Sequence, residues 1–295
     1  MTTPPTRRTV RSGPVDLAVF EHGDHDGPTV LLVHGWPDTH HLWNGVAELL
    51  AADFRVVSYD TRGHGESTDP DAVEAFALEE LAADLVAVAD AVSPDRPVHL
   101  VGHDWGSVQG WEAVCEDGAE ERFASFTSIS GPNLDHLALW MRGVPSPRKA
   151  LHLAAQAASS SYVWFFASPA APPLFRRIAT RDRWLGLLRR AEGAQLPTDR
   201  VAPTLVDDMV SGLRIYRANV RRGTRSPRER RTTVPVLQLV PTRDLAVRSA
   251  SYEATPQWVD QVERRRVPYG HWVALSHPEV VATEVARFVR EVEPR

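Results

Sequence analysis

The pentapeptide Gly102-His103-Asp104-Trp105-Gly106 sets a carboxylate between small residues, directly after the β-rich run 98–101 (VHLV) and before an apolar segment that can form a helix. Strand, sharp turn and helix in that order make a nucleophile elbow: the tight turn needs small flanking residues and lifts the central side chain to the top of a sheet. No Gly-x-Ser-x-Gly occurs in the chain, so a serine esterase would have no nucleophile here. A carboxylate nucleophile narrows the chemistry. Attack on an ordinary ester would give an anhydride, a poor intermediate, whereas attack on an sp³ carbon bearing a leaving group gives a stable alkyl ester. Hydrolysing that ester requires a general base to activate water. His271 can supply it, with Asp244 orienting the ring and stabilising the imidazolium. Asp244 sits in the turn after the run 234–240 (VPVLQLV), and His271 follows ERRRVPY. Alone, Asp244 reads equally as a turn aspartate and His271 as a core histidine; joint register with the elbow is what favours chemistry.

These residues need a scaffold. The runs 29–33 (TVLLV), 54–59 (FRVVSY), 98–101 and 123–129 (FASFTSI) are β-rich and lie some 20 to 45 residues apart, with helical segments between them. In 78–92, Leu78, Leu81, Leu85, Val88 and Val92 form one apolar stripe on a helix. Alternating strand and helix predicts a parallel sheet with helices on both faces, because parallel strands need crossover connections. Two short apolar pieces, 10–15 and 17–20, read as antiparallel edge strands ahead of it. The alternation stops after Ile129 and resumes with 234–240, then 257–267 and a closing helix over 277–292. The interruption, 133–231, is rich in Ala, Leu, Arg and Trp and broken by prolines, which predicts several short helices roofing the carboxyl ends of the strands, where such sheets bind ligands. Its last stretch, 221–231 (RRGTRSPRERR), reads as a solvated hinge back to the sheet.

Composition excludes several classes of function. With 33 basic and 38 acidic residues the formal charge is -5, so no nucleic-acid partner is implied. The single cysteine, Cys115, allows neither an internal disulfide nor a multi-thiolate metal site. The start, MTTPPTRRTV, has no apolar stretch behind it, and the strongest apolar stretch, 162–175, is short and holds Pro169, Pro172 and Pro173; the expectation is a cytoplasmic protein without a membrane span. His22, His25, His40 and His41 read as loop histidines, no metal-ligand or phosphate-loop spacing is present, and no cofactor is expected.

Four motifs together resemble the α/β-hydrolase fold and, within it, epoxide hydrolases: the elbow, His34-Gly35-Trp36-Pro37 after TVLLV, Asp60-x-Arg62-Gly63-x-Gly65-x-Ser67 after the next strand, and Gly270-His271-Trp272. The similarity spans nearly the whole chain and is nearest the hydrolase half of actinobacterial proteins that join an epoxide hydrolase to a short-chain reductase; this sequence ends before a reductase would begin. The resemblance implies a mostly parallel eight-stranded sheet, with core over 1–132 and 232–295 and a helical cap, 133–231, inserted after the sixth strand. It also implies the chain order Asp104, Asp244, His271 for nucleophile, acid and base. Asp135 occupies a place some relatives use for the acid, and is the alternative to Asp244.

The same resemblance implies that the backbone N–H groups of Trp36 and Trp105 meet the oxyanion, and that the Trp36–Pro37 bond is cis. Tyr162 (in SSSYVWFFASP) and Tyr216 (in LRIYRAN) match the two positions from which epoxide hydrolases project ring-opening tyrosines; otherwise they pack the cap. A small-molecule epoxide is the expected partner, and a homodimer is allowed. Two other readings stay open. A haloalkane dehalogenase would share Asp-Trp at the elbow but often carries a side-chain amide where Trp36 stands. A catalytically silent ligand-binding member of the fold would have lost the nucleophile or histidine, and both are present.

Overall fold

The central strands are apolar at consecutive positions, as expected for strands covered on both faces. The computed structural model describes residues 5–23, 26–143, 146–220 and 227–293. It contains one sheet of eight strands: β1 (Thr6–Ser12), β2 (Val15–His22), β3 (Thr29–Val33), β4 (Arg55–Tyr59), β5 (Val98–His103), β6 (Phe123–Ile129), β7 (Val236–Pro241) and β8 (Val262–Val267). Their spatial order is β1-β2-β4-β3-β5-β6-β7-β8. Only β2 runs against its neighbours, antiparallel to β1 and β4; every pairing from β4 to β8 is parallel. The expected edge pair is therefore present, with Val10 opposite Leu17 and the turn taken by Gly13 at φ 53°.

Alternate side chains divide the core between the two faces. Val30, Leu32 and Val56 pack under α1 (Asn44–Leu50) and α11 (Pro278–Val292), meeting Val46, Leu50, Val281 and Val285. Leu31, Val33 and Val57 pack under α2 (Leu78–Val92) and α3 (Trp105–Val114), meeting Leu85, Val88, Trp111 and Val114. In α2 the apolar stripe turns inward, Leu81, Leu85, Val88 and Val92 being buried. The segment 257–267 is strand only from Val262, because a short 3-10 turn, Thr255–Gln257, precedes it.

After β6 the chain leaves the sheet for α4 (Leu134–Arg142), α5 (Pro147–Ser159), α6 (Ser161–Phe166), α7 (Ala171–Ile178), α8 (Arg181–Glu192) and α9 (Leu205–Asn219). The last helix is bonded to the core at several points, of which three bear on the site. Asn219 Oδ1 accepts from Leu78 N–H, the first amide of α2, at 3.0 Å. Asp208 Oδ1 accepts from Gly65 N–H at 2.8 Å, and the Met209 carbonyl accepts from the Trp36 indole at 3.0 Å. The return to the sheet differs from expectation. Residues 221–226 of the basic stretch lie outside the described residues; Arg228, Glu229 and Arg231 are exposed, but Arg228 and Arg230 are also paired with the core. Arg228 bonds Glu112 and Asp135, and Arg230 bonds Glu116. Glu112 is itself buried on α3, so it needs those counter-charges.

Asp60-x-Arg62-Gly63-x-Gly65 builds the loop under α9. Gly65 adopts φ 55°, and a Cβ there would lie 2.1 Å from Asp60 Oδ2. Arg62 forks onto Asp84 at 2.6 and 2.7 Å with both side chains almost wholly buried. Asp84→Asn, leaving that guanidinium buried without its counter-charge, is expected to lower stability by about 3 kcal/mol or more. A urea midpoint within error of the parent's would contradict this.

Candidate active site

β5 ends at His103, and the next residue takes a backbone conformation that side chains rarely adopt: Asp104 has φ 51° and ψ -122°. Close packing enforces the turn. A Cβ on Gly102 would sit 2.5 Å from the Gly106 carbonyl oxygen, and one on Gly106 would sit 2.2 Å from that of Val33. Helix α3 can therefore pass against the end of β3 only with glycine at both places, and the turn between them holds Asp104 up.

The loop after β3 closes over this carboxylate. The Trp36 N–H donates to Asp104 Oδ2 at 3.1 Å, and the Trp105 N–H also bonds the carboxylate. A Cβ on Gly35 would come within 2.6 Å of Asp104 Oδ2, so glycine lets the loop approach. The Trp36–Pro37 bond is cis, as the resemblance implies. Trp36 and Trp105 thus both aim backbone donors at one carboxylate.

His271 approaches from the other side. Its Nδ1 lies 2.8 Å from Asp244 Oδ2, and its Nε2 lies 3.7 Å from Asp104 Oδ1. Asp244 Oδ1 accepts from the amides of Ala246 at 2.8 Å and Val247 at 2.9 Å, which fixes the carboxylate. The His271 carbonyl accepts from Ser130 Oγ at 3.2 Å and lies 2.8 Å from His103 Nε2. Asp135, the alternative acid, is occupied elsewhere: its oxygens accept from Arg228 N and Nε at 3.1 and 3.0 Å.

Burial and charge oppose each other at every group. Burial pushes Asp104 up to about 6, against the charge of His271 and the two backbone donors. For His271 burial favours the neutral ring, but the charge of Asp244, its hydrogen bond and the charge of Asp104 outweigh it and raise the pKa to about 9. Burial likewise opposes ionisation of Asp244, yet His271 and the two amides hold it below the ordinary carboxylate value.

Two tyrosine rings lie beside the elbow. Tyr216, on α9, packs edge-on against Trp105 at 5.1 Å and Trp36 at 5.7 Å, and its ring lies 6.5 Å from that of Tyr162 on α6. Both are held well above the ordinary phenol pKa, Tyr162 by burial and the charges of Asp104 and Asp244, Tyr216 by burial, Tyr162 and Asp104. Among the described residues no group of three or more His, Cys, Asp or Glu could hold a metal ion. His40 pairs with buried Asp60 at 2.8 Å and His22 lies 3.0 Å from Ser58 Oγ, positions that are structural; His25 is outside the described residues.

Residues 28–278 match the family model described as alpha/beta hydrolase fold. The chain belongs to that family. This α/β hydrolase is 40% identical over 284 residues, 93% of its length, to the "Probable oxidoreductase EphD" of Mycobacterium tuberculosis, of which it covers 48%. It thus spans about half the length of that curated relative. It is also 40% identical over 131 residues to the "Epoxide hydrolase A" of Mycobacterium tuberculosis, covering 44% of this chain and 40% of that protein. In fold it is similar to the Bacillus megaterium epoxide hydrolase solved with an inhibitor, with TM-score 0.81 and 19% identity over 96% of this chain and all of that one. Among the described residues, no helix of this α/β hydrolase is long and apolar enough to cross a membrane.

Two acidic residues beside the site were not singled out in the sequence. Asp38, directly after Pro37, accepts from the Trp272 indole at 3.0 Å. Burial, opposed by that hydrogen bond and reinforced by the charge of Asp104, raises it to about 7. Its place in the HGWPD run was a usable signal. Glu192, the last residue of α8, accepts from Trp272 N–H at 3.0 Å and Ser276 Oγ at 3.1 Å, and a Cβ on Gly270 would lie 2.5 Å from its carboxylate. It clamps the insertion beside His271, and nothing local in the sequence marked it.

Two measurements follow from this geometry. Asp104→Gly is expected to unfold at higher denaturant, by about 1 kcal/mol, because glycine adopts the strained turn freely; a loss of stability would show the turn to be unstrained. The folded His271 pKa of about 9 lies above the ordinary value of 6.5. Its ion pairs therefore stabilise the fold fully below pH 6.5, and that stabilisation is lost as pH rises through 9. Asp244→Asn is expected to flatten this alkaline loss and lower the His271 titration seen by NMR, and an unchanged titration would refute the assignment.

Proposed function

We propose that this α/β hydrolase is an epoxide hydrolase that opens an oxirane to a vicinal diol through an ester on Asp104. The observation that supports the reading is a carboxylate within reach of a histidine, with the rings of two tyrosines, 6.5 Å apart, beside the elbow that carries it. Trp36 N–H holds Oδ2, which leaves Oδ1 to attack an oxirane carbon in line with the breaking C–O bond. The departing oxygen takes a proton from Tyr162 or Tyr216, giving a hydroxyalkyl ester.

Forming the ester removes the negative charge of Asp104, one of the causes that raise His271. The imidazolium then gives its proton up more readily, to the phenolate left by ring opening, and becomes a base for water. Water attacks the ester carbonyl as His271 Nε2 takes its proton, and Asp244 balances the imidazolium. The oxyanion falls between the N–H groups of Trp36 and Trp105. Collapse breaks the acyl C–O bond, the departing alkoxide takes the proton back from His271 to leave as the diol, and the Asp104 carboxyl then passes its water-derived proton to the His271 ring, restoring the carboxylate with one oxygen from water. Asp38, close to both Asp104 and His271, is suited to hold that water. In this reading the segment 133–231 acts as the cap that supplies the phenols and excludes bulk solvent.

Halide release by the same triad is the other covalent reading. A halide needs N–H donors that are free, and the Trp36 indole is already given to the Met209 carbonyl. That favours the oxirane. A silent ligand-binding role would not need a base within reach of a strained nucleophile.

Single turnover of styrene oxide in ¹⁸O-water is expected to place label in Asp104 and none in the first diol released. Labelled diol with unlabelled Asp104 defeats the covalent route. Tyr162→Phe and Tyr216→Phe together are expected to slow ester formation by about a hundredfold or more, while leaving bromide release from haloalkanes absent.

A further inference from the structure

Three helices of the insertion, α6, α7 and α8, each press one ring onto Trp36. Phe166 lies at 4.7 Å, Phe175 at 5.8 Å and Trp184 at 6.3 Å, centroid to centroid. Sharing one inner partner makes them a single roof, so the residues that do not face Trp36 lie on its outside. Soluble surfaces expose scattered apolar residues, but this one concentrates large ones: Trp164 is 60% exposed, Leu187 58%, Ile178 44% and Leu174 40%. Leu174 and Ile178 are four apart on α7 and share a helix face.

The charge of the same stretch opposes that of the whole chain. Between residues 161 and 193 there are six arginines against Asp182 and Glu192, in a protein of formal charge -5. Glu192 is turned inward onto Trp272 and Ser276, leaving Asp182 as the one outward acid within 161–193. Arg176 and Arg177 are exposed on α7, Arg177 about 60° round the helix from Leu174 and Arg176 on the other flank, and neither forms an ion pair among the described residues.

We propose that the outer face of α6, α7 and α8 docks on an anionic lipid surface, with Trp164, Leu174 and Ile178 entering the interface and Arg176 and Arg177 meeting lipid phosphates. Tryptophan and arginine are suited to such a boundary, each pairing an apolar body with a polar end. A second copy of this chain fits less well, because a two-fold contact through the patch would set its arginines against themselves. The docking is peripheral and does not depend on the reaction assigned to the site.

The test is co-sedimentation of the whole chain with vesicles of phosphatidylcholine alone and with vesicles of equal parts phosphatidylcholine and phosphatidylglycerol. Binding is expected to the mixed vesicles only, and to fall steeply with added salt. Arg176→Glu with Arg177→Glu is expected to weaken it by about tenfold or more, and Trp164→Ser with Leu174→Ser to weaken it at any salt concentration. Both variants should keep the parent's circular dichroism and its activity on a water-soluble epoxide. No binding to mixed vesicles, or binding unchanged in both variants, overturns the proposal. So does a dimer in light scattering that the Trp164→Ser, Leu174→Ser variant dissociates, which would give the face to a second copy.

Discussion

The closest contact in the site is between two backbones. Helix α3 leaves the sheet so near the end of β3 that no side chain fits at Gly106, and the return of the chain forbids one at Gly102. The residue between them must bend through a conformation that costs about 1–3 kcal/mol for anything but glycine. Because the sheet fixes β3 and β5 side by side, the bend cannot relax. Everything else in the pocket is arranged around the carboxylate this produces: the loop after β3 and the start of α3 each offer it one amide, β7 and β8 end where Asp244 and His271 can reach it, and the insertion brings aromatic rings beside it.

Electrostatics then divides the work among groups of one kind. Three carboxylates lie close together, and their surroundings separate them. Asp244, bonded by two amides and an imidazole, stays charged below the usual range, whereas Asp104 and Asp38 are driven up by burial to about 6 and about 7. Such separation is how one pocket holds an ionised group and a neutral one at the same pH. His271 stands between two of these charges, so its proton affinity follows whichever of them is present.

Much of the fold was legible because its signals are local. The strand runs lay within a few residues of the observed strands, the stripe in α2 faced inward, and the elbow was recognisable from five residues. Asp104, Asp244 and His271 each follow a β-rich run, so a parallel sheet gathers them at one edge. What was not legible depends on contacts across the chain. Nothing near Glu192 tells that it will bond the amide after His271, 80 residues on. The pairing of the basic stretch was not legible because its partners, Glu112 on α3 and Glu116 just after it, sit more than a hundred positions earlier. Asp135 was separable from Asp244 only once Arg228 was seen to occupy it.

Three of the bonds from α9 to the core bear on how such folds exchange parts. Helices α4 to α8 present exposed surfaces whose residues could diverge, apart from Tyr162, Glu192 and the rings set on Trp36. The final helix of the insertion cannot, since it supplies the first amide of α2 with an acceptor, holds the loop at Gly65 and anchors the Trp36 ring. A swap of lids between relatives that cut the chain at both ends of the insertion would strand those partners. A graft joined before Leu205 would keep them, and with them Tyr216 in its place above the carboxylate.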